Sequence, residues 1–435
     1  MISKIRNIAS NKSIVRYGRN SAWMMAEYSL NLISGVFVGI YVARYLGPEQ
    51  FGALSYALAI VTIFMAISRL GMESILVRDI SKNPLQRQAY MSTAFGIMWI
   101  AAVIVFTLLS AIIYFLEVDF NARLYVWIIA TSILFQTFLV IDYNFQAQVQ
   151  AKFSSISKSL SILLSVSVKI YLVYMQADLL FFAIAYAIDN FFVALALLVM
   201  HLHKRQINFL KGFDLKLVKP LLSSAWPMIL AGLSAMLYMR IDQIMIKNML
   251  DTHQLGLYSA ATKIYEGWII ISVVFSLSLL PAIVSLKAES NSRYESGLSK
   301  LLALLFWICF AFAVITTIYN QELIIITYGP QFISSSSVLI VLIWAAMFNA
   351  IGSVSARYLT VESMEKKIAI RTFLGLFLNL ALNLFLIPKY GIEGAAYATL
   401  ITVFFINYII NFFDKELRQL RRICNNAIFL RLGVS

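Results

Sequence analysis

Long apolar runs separated by short polar joints make up most of this chain. Twelve runs approach the about 20 residues that a helix needs to cross a bilayer, with edges near residues 21–44, 52–72, 90–116, 123–142, 157–175, 179–200, 222–250, 257–285, 298–319, 338–360, 368–387 and 394–413. Because backbone polar groups in lipid need partners within their own segment, each run is expected to be helical. The pattern therefore predicts an all-α integral membrane protein with about 12 transmembrane helices.

A partial repeat divides the chain near its midpoint. Ser21-Ala22-Trp23 returns as Ser224-Ala225-Trp226 at an offset of 203, and Phe51-Gly52 returns as Leu255-Gly256 at an offset of 204. A repeat of this length predicts two homologous six-helix bundles in one chain. The predicted parts are an N-terminal bundle, a cytoplasmic linker, a C-terminal bundle and a basic cytoplasmic tail, at residues 1–200, 201–220, 221–413 and 414–435.

The distribution of cations predicts the orientation in the membrane. Of the 35 Lys and Arg residues, 26 lie in the two terminal segments and in the joints on the same side, whereas the joints on the other side hold four. Cytoplasmic loops carry the excess of cations in membrane proteins, so both termini are predicted to be cytoplasmic. One joint on the outer side, Asn320–Ser337, is long enough to hold a further short helix.

Composition agrees with this class and excludes others. Hydrophobic residues make up 61% of the chain and charged residues 13%, against about 25% charged in soluble domains. The net charge of +14 follows the loop pattern, and because no nucleic-acid-binding module is recognisable, no nucleic-acid partner is predicted. Met1–Arg19 leads into an apolar run too long for the core of a cleavable signal peptide.

Ionisable residues inside predicted spans are the candidates for function, because a charge in the bilayer core is costly. Arg69 and Arg357 lie close to cytoplasmic ends and can extend their charged groups to the interface, and Asp142 also sits at such an end. The remaining seven are the predicted site residues. The cations Arg240, Lys263 and Lys169 are predicted to bind substrate, and the predicted coupling or charge-pair acids are Asp242, Glu266, Asp189 and Glu27.

Depth and spacing bring four of these residues together. At about 1.5 Å per residue, Arg240 and Asp242 lie at a depth similar to that of Lys263 and Glu266 on the next helix, and the last two share a face at i,i+3. Two interpretations stay open. The charges could be buried salt bridges between helices, or they could line a polar cavity between the halves where cations hold an anionic headgroup and an acid exchanges a proton or cation.

Motifs for enzyme chemistry are not found in the sequence. It has no Walker loop, nucleophile elbow, HExxH or CxxC motif, and its two cysteines do not suggest a disulfide framework. We therefore predict no catalytic residues, no bound metal, no cofactor and no enzymatic activity.

Three blocks of sequence resemble the polysaccharide-biosynthesis family of Wzx-type O-antigen flippases, in the multidrug/oligosaccharidyl-lipid/polysaccharide (MOP) exporter superfamily. They are the stretch from Ala43 to Gly52 with Leu70–Arg78, the pair Arg240–Gln243 and Leu255–Ala260, and Pro388–Ala396. The resemblance implies a MATE-like fold in a multi-pass protein of the bacterial cytoplasmic membrane.

The resemblance also implies an activity. Proteins of this family translocate an undecaprenyl-diphosphate-linked oligosaccharide, an O-antigen or related surface polysaccharide unit, from the cytoplasmic to the outer leaflet, by rocking of one bundle against the other. The expected partners are this lipid-linked oligosaccharide and membrane lipids, with a polysaccharide polymerase and a chain-length regulator as further candidates. Alternatives are a cation-coupled small-molecule exporter of the same fold, a membrane glycan polymerase and a scaffold for glycan enzymes.

Overall fold

The described residues of the computed structural model are 12–204 and 207–431, and they are 90% helical with no β-strand among them. The first eleven residues of the predicted N-terminal bundle, two residues of the predicted linker (205–206) and the last four of the predicted tail (432–435) lie outside the described residues. The all-α prediction is confirmed.

Fifteen α-helices follow one another in the described residues. We number them α1 to α15 in chain order: Lys12–Ser68, Met72–Lys82, Arg87–Leu116, Phe120–Ala130, Ser132–Phe135, Leu139–Ala147, Ala151–Tyr174, Leu179–His203, Leu215–Met249, Thr252–Glu289, Asn291–Ile318, Asn320–Thr327, Ser335–Val361, Glu365–Asn407 and Arg418–Ile428. Short 3₁₀ helices lie at Pro84–Gln86, Gln136–Phe138, Pro330–Phe332, Ile409–Phe412 and Lys415–Leu417. The short helix expected within Asn320–Ser337 is confirmed as α12.

Nine helical stretches in the described residues are long and apolar enough to cross a membrane. Two of them, Ala22–Lys82 with 61 residues and Glu365–Phe412 with 48 residues, are much longer than the others. A single crossing takes about 20 residues, so these two stretches exceed one crossing. The protein is a multi-pass membrane protein, whereas the count of twelve helices and the cytoplasmic termini stay predictions.

Each of the two longest helices is broken at a glycine in the left-handed region. Gly47 in α1 has φ 72° and is followed by Pro48, and Gly391 in α14 has φ 59° and follows Pro388 by three residues. Glycine adopts positive φ without the steric cost that a Cβ brings, and proline removes a helical hydrogen bond. The sequence therefore divides both helices at defined positions.

The contacts of the described residues divide the chain into two compact units. One unit is Met1–Val38 with Ala57–Met236, and the other is Gly39–Tyr56 with Leu237–Ser435. The first has a core around Met72, Met91 and Phe145, and the second around Tyr294, Leu302 and Tyr358. The division predicted at residues 201–220 stays a prediction.

Two glycines of the sequence repeat meet in the second unit. A Cβ on Gly52 would lie 1.9 Å from the carbonyl oxygen of Thr252, and a Cβ on Gly256 would lie 1.8 Å from that of Pro48. No side chain fits at either position, so the α1 backbone after its break packs directly against the start of α10. The recurrence of glycine at both positions thus has a packing reason within this unit.

The predicted linker is attached to the first unit at several points. Phe209 is buried in the core of that unit, and the ring of His201 packs edge-on against it at 5.3 Å. The hydroxyl of Ser92 donates to the Lys211 carbonyl at 2.5 Å, and the Asp214 amide donates to the Thr93 hydroxyl at 3.0 Å. These contacts hold the described part of this segment against α3 and α8.

Candidate functional site

Arg240 of α9 and Lys263 of α10 share one carboxylate in the second unit. Arg240 Nη1 donates to Glu266 Oε1 at 2.9 Å, and Lys263 Nζ lies 3.6 Å from Glu266 Oε2. The side chains of Arg240 and Glu266 are each 19% exposed, and that of Lys263 is 37% exposed. We call these three residues the cation-rich trio, because two cations against one acid leave a formal charge of +1.

Asp242 is held separately from the trio by neutral donors. The Tyr258 hydroxyl donates to Asp242 Oδ2, and the backbone amide of Gln243 donates to Asp242 Oδ1 at 2.8 Å. Residues two apart on a helix point in nearly opposite directions, so Asp242 cannot share the side on which Arg240 meets Glu266. The structure therefore joins three of the four residues that were expected together on α9 and α10.

Lys169 and Asp189 form a neutral pair in the first unit. Lys169 Nζ donates to Asp189 Oδ2 at 2.5 Å, and the Ser165 hydroxyl accepts from Lys169 at 2.9 Å while donating to Asp189 Oδ1 at 2.5 Å. The ammonium group also lies 3.9 Å from the centre of the Tyr186 ring. With an acid, a hydroxyl and an aromatic face around it, Lys169 carries no uncompensated charge within this group.

Glu27 belongs to a second group of three in the first unit. Lys158 Nζ lies 2.5 Å from Asp142 Oδ2 and 3.9 Å from Glu27 Oε2. The Ser154 hydroxyl donates to the other Asp142 oxygen, and the Asp142 side chain is only 4% exposed. We call Glu27, Asp142 and Lys158 the acid-rich trio, because two acids against one cation leave a formal charge of −1.

Sequence reasoning missed two members of the acid-rich trio. The sequence predicts a cytoplasmic helix end for Asp142 and no site role for Lys158, yet both side chains are mostly buried and contact each other. In the structure α7 begins at Ala151, six residues before the predicted run, and this places Lys158 two turns inside a helix. The roles assigned to all seven predicted residues stay predictions. Among the described residues, no group of three or more His, Cys, Asp or Glu could hold a metal ion.

Solved structures of transporters share this fold. The lipid II flippase MurJ matches with a TM-score of 0.73 at 15% identity, covering 93% of this chain and 90% of that chain. A multidrug resistance MATE family transporter of the MOP superfamily matches with a TM-score of 0.72 at 13% identity, covering 93% of this chain and 96% of that chain. At such identities the likeness shows the fold alone, and it confirms the predicted MATE-like architecture.

Sequence comparison adds relatives along most of the chain. A Shigella flexneri protein named "Putative O-antigen transporter" is 23% identical over 396 residues, which is 87% of this chain and 93% of that protein. The "Capsular polysaccharide biosynthesis protein CapF" of Staphylococcus aureus is 20% identical over 395 residues, covering 89% and 96%. Residues 17–287, more than half of the chain, match the family described as "Polysaccharide biosynthesis protein". This chain therefore belongs to the polysaccharide biosynthesis protein family.

Proposed function

We propose that this protein is a flippase that moves an undecaprenyl-diphosphate-linked oligosaccharide, an O-antigen or related surface polysaccharide unit, from the cytoplasmic to the outer leaflet of the bacterial cytoplasmic membrane. The observation that carries the proposal is the cation-rich trio, whose surplus positive charge lies within apolar helices of the second unit. Membership of the polysaccharide biosynthesis protein family supports it. So does the likeness to proteins named as an O-antigen transporter and a lipid II flippase.

The chemistry of the cargo explains why such a trio is useful. A diphosphate is anionic and a glycan is hydrophilic, so neither crosses the hydrocarbon core at a tolerable cost on its own. The Arg240 guanidinium can hold phosphate oxygens in a bidentate manner, and Lys263 adds a compact charge. Because the Glu266 carboxylate already forms ion pairs with both cations, the diphosphate would compete with this carboxylate during each transport cycle.

The acid-rich trio supplies a group for ion coupling in this proposal. Glu27 lies 3.9 Å from Lys158, whereas Asp142 lies 2.5 Å from the same ammonium group. Glu27 is therefore the less tightly paired acid, and it is the one that a proton or a cation would neutralise. Asp189 and Asp242 have closer partners of their own and serve as charge-pair or hydrogen-bonded acids.

The cargo implies further partners. A translocated repeat unit is the substrate of a polysaccharide polymerase, whose product length is set by a chain-length regulator. These two proteins are therefore the partners that we propose beyond membrane lipids and the lipid-linked oligosaccharide itself. The enzyme alternative, a membrane glycan polymerase, is not retained, because the relatives include proteins named as an O-antigen transporter and as a glycan biosynthesis flippase.

A cation-coupled small-molecule exporter of the same fold is the second candidate. The acid-rich trio favours it, because a surplus carboxylate suits a cationic substrate, and the MATE transporters share the fold. The two candidates differ in the group that must bind the cargo. An exporter of cations depends on the acid-rich trio for cargo, whereas a flippase of anionic lipids depends on the cation-rich trio.

The first experiment measures lipid-linked glycan in cells that lack this protein. Complete undecaprenyl-diphosphate oligosaccharide should accumulate on the cytoplasmic face, as detected by leaflet-specific labelling of the glycan. Complete units on the outer face that stay unpolymerised would contradict the flippase and revive the polymerase. A normal distribution in both leaflets would leave the exporter, and loss of resistance to cationic drugs would then identify it.

Substitution of the trio cations tests the proposed site. Arg240→Ala and Lys263→Ala are each expected to reduce glycan export about tenfold or more, since each removes a contact to the diphosphate. The matched control is Arg293→Ala, because Arg293 is 70% exposed and its ion pair in the described residues is with Glu289, the last residue of α10, which is itself 40% exposed. Membrane abundance of every variant is measured in parallel, and normal export by the Arg240/Lys263 double variant would refute the site.

A further inference from the structure

The last helix of the described chain, α15, has one apolar face and one basic face. Leu420, Ile423, Cys424 and Ala427 recur at helical spacing and are buried in the core of the second unit. Arg418 and Arg422 are exposed, and the helix Arg418–Ile428 contains no acidic residue. The outer face of α15 therefore carries positive charge, which is attracted to an anionic surface.

Helix α15 lies at the edge of the membrane-spanning region. The last candidate span ends at Phe412, so the five residues that follow bring Arg418 within about 20 Å of the end of this span, even when fully extended. The apolar face of α15 packs beside Tyr294 near the start of α11 and Tyr358 near the end of α13. Three spanning helices thus end next to α15.

Polar contacts fix the rotation of α15 about its own axis. The Tyr358 hydroxyl donates to Gln419 Oε1 at 2.9 Å, and Gln419 Nε2 donates to Glu295 Oε1 at 2.7 Å. The Tyr408 hydroxyl donates to Asn425 Oδ1 at 3.1 Å. The bonds of Gln419, which lies on the flank of the buried face, fix this rotation and keep Arg418 and Arg422 on the side that faces away from the core.

Exposed aromatic and aliphatic side chains flank the basic face. Phe413 is 77% exposed before the helix, and Phe429 is 62% exposed after it. The Arg421 guanidinium lies 5.4 Å from the centre of the Phe412 ring, and that of Arg431 lies 5.8 Å from the centre of the Phe429 ring. Arginines and exposed apolar rings at the end of a span suit the headgroup region, where cations are attracted to anionic lipids and rings can enter the boundary with the acyl chains.

We propose that α15 and its flanking phenylalanines form a binding surface for anionic phospholipids of the bilayer. Arg418, Arg421, Arg422 and Arg431 contact the headgroup phosphates, and Phe413 and Phe429 enter the boundary between headgroups and acyl chains. Each basic residue near an anionic surface strengthens the attraction by about fivefold. The proposal concerns bulk lipid and does not depend on the identity of the transported cargo.

The test compares the full-length protein in two kinds of nanodisc. One contains phosphatidylcholine alone, and the other also contains about 30 mol% phosphatidylglycerol, an anionic phospholipid. Amide hydrogen exchange is measured over residues 413–431. Exchange in α15 is expected to slow about tenfold or more when phosphatidylglycerol is present. The double variant Arg418→Gln/Arg422→Gln should lose most of this protection, whereas Lys389→Gln/Lys82→Gln, which removes two exposed cations outside α11 and α15, should keep it.

Two further measurements decide between sources of negative charge and guard against misfolding. Inorganic diphosphate added to phosphatidylcholine nanodiscs should give no protection, and equal protection by this soluble anion would overturn the lipid proposal. Phe413→Ser/Phe429→Ser leaves the arginines in place and should also weaken the response to phosphatidylglycerol. Protection that is independent of phosphatidylglycerol in the wild-type protein, or equally strong in the Arg418/Arg422 variant, would refute the surface.

Discussion

The two units carry charge clusters of the same size and opposite sign. The acid-rich trio of the first unit has two carboxylates around Lys158, and the cation-rich trio of the second has two cations around Glu266. The composition of a buried cluster decides which ligand can compete for it. A surplus acid can be neutralised by a proton or cation, and a surplus cation by an anionic group, so the two trios favour ligands of opposite charge.

The distances within the trios sharpen this comparison. Each trio has a tight pair, Lys158–Asp142 at 2.5 Å and Arg240–Glu266 at 2.9 Å, and a looser third member. The looser members are Glu27 at 3.9 Å and Lys263 at 3.6 Å. A ligand can take either of these without breaking the tight pair, so Glu27 and Lys263 are the members whose partners are expected to change during transport.

The largest loss of stability is expected from Lys158→Met. This change leaves Asp142 and Glu27 buried together without their common cation, and breaking a buried ion pair in this way costs about 3–5 kcal/mol. The free energy of unfolding of the purified protein in detergent, measured with a chemical denaturant, should fall by this amount. The double variant Lys158→Met/Asp142→Asn should recover most of it, and a single variant as stable as the wild type would show that the trio does not hold these helices.

Glu266→Gln is the corresponding change in the second unit. It should lower the free energy of unfolding by less, about 1–3 kcal/mol. It leaves two like charges, but the Lys263 side chain is already 37% exposed and can turn towards a more polar environment. The same variant removes the competitor for a diphosphate. Binding of a lipid diphosphate probe, followed by fluorescence, should therefore tighten about tenfold, and weaker binding would contradict the assignment of Glu266 as a competitor.

The neutral pair Lys169–Asp189 tests whether a buried pair without surplus charge is structural. Lys169→Met alone leaves Asp189 without its cation and is expected to destabilise the protein, but less than Lys158→Met does, because the Asp189 side chain is 28% exposed and keeps its bond from the Ser165 hydroxyl. Adding Asp189→Leu should restore stability, because well-packed apolar residues replace buried pairs at little cost. The restored double variant should export glycan normally. Lost export at restored stability would instead assign Lys169 to substrate binding, as the sequence predicted.

The sequence predicts how deep each charged residue lies in the membrane better than it predicts which side chain that residue contacts. The 3.6-residue periodicity and the span lengths were enough to place Arg240, Lys263 and Glu266 at one level on adjacent helices. The separation of Asp242 from Arg240 follows from their spacing of two residues on one helix, whereas the contact of Asp242 with the Tyr258 hydroxyl is not encoded in any local pattern. Partners across helices depend on the rotation and tilt of whole helices, which tertiary packing determines.

Errors arose mostly at the edges of apolar runs. The predicted run begins at residue 157, whereas α7 begins at Ala151, because serines at 154, 155 and 157 lower the local hydropathy. Lys158 therefore lies deeper inside a helix than the run predicts. The tail was predicted only as basic. Its spacing of Leu420, Ile423, Cys424 and Ala427 follows a helix face, and that signal was available in the sequence.

The smallest loss of stability is expected at a cluster near the solvent that, like the acid-rich trio, contains one cation and two acids. Lys367 contacts Asp414 and also Glu416 at 2.6 Å, again one cation with two acids. Here the acids are 34% and 69% exposed, against 4% for Asp142. Burial, rather than composition, is therefore expected to decide how much such a cluster stabilises the protein.

Asp414→Asn measures this exposed counterpart. The hydrogen bond from Lys367 lowers the pKa of Asp414 below its usual value, so its contribution is present above the unfolded pKa, about 3.9, and is lost as the pH falls through the folded pKa. The variant should be less stable than the wild type by under about 1 kcal/mol near neutral pH, because solvent screens the pair. Denaturation curves in detergent recorded between about pH 3 and pH 7 should converge at the acidic end. A constant difference across this range would mean that the carboxylate charge is not what stabilises the contact, and a loss as large as that of Lys158→Met would refute the role given to burial.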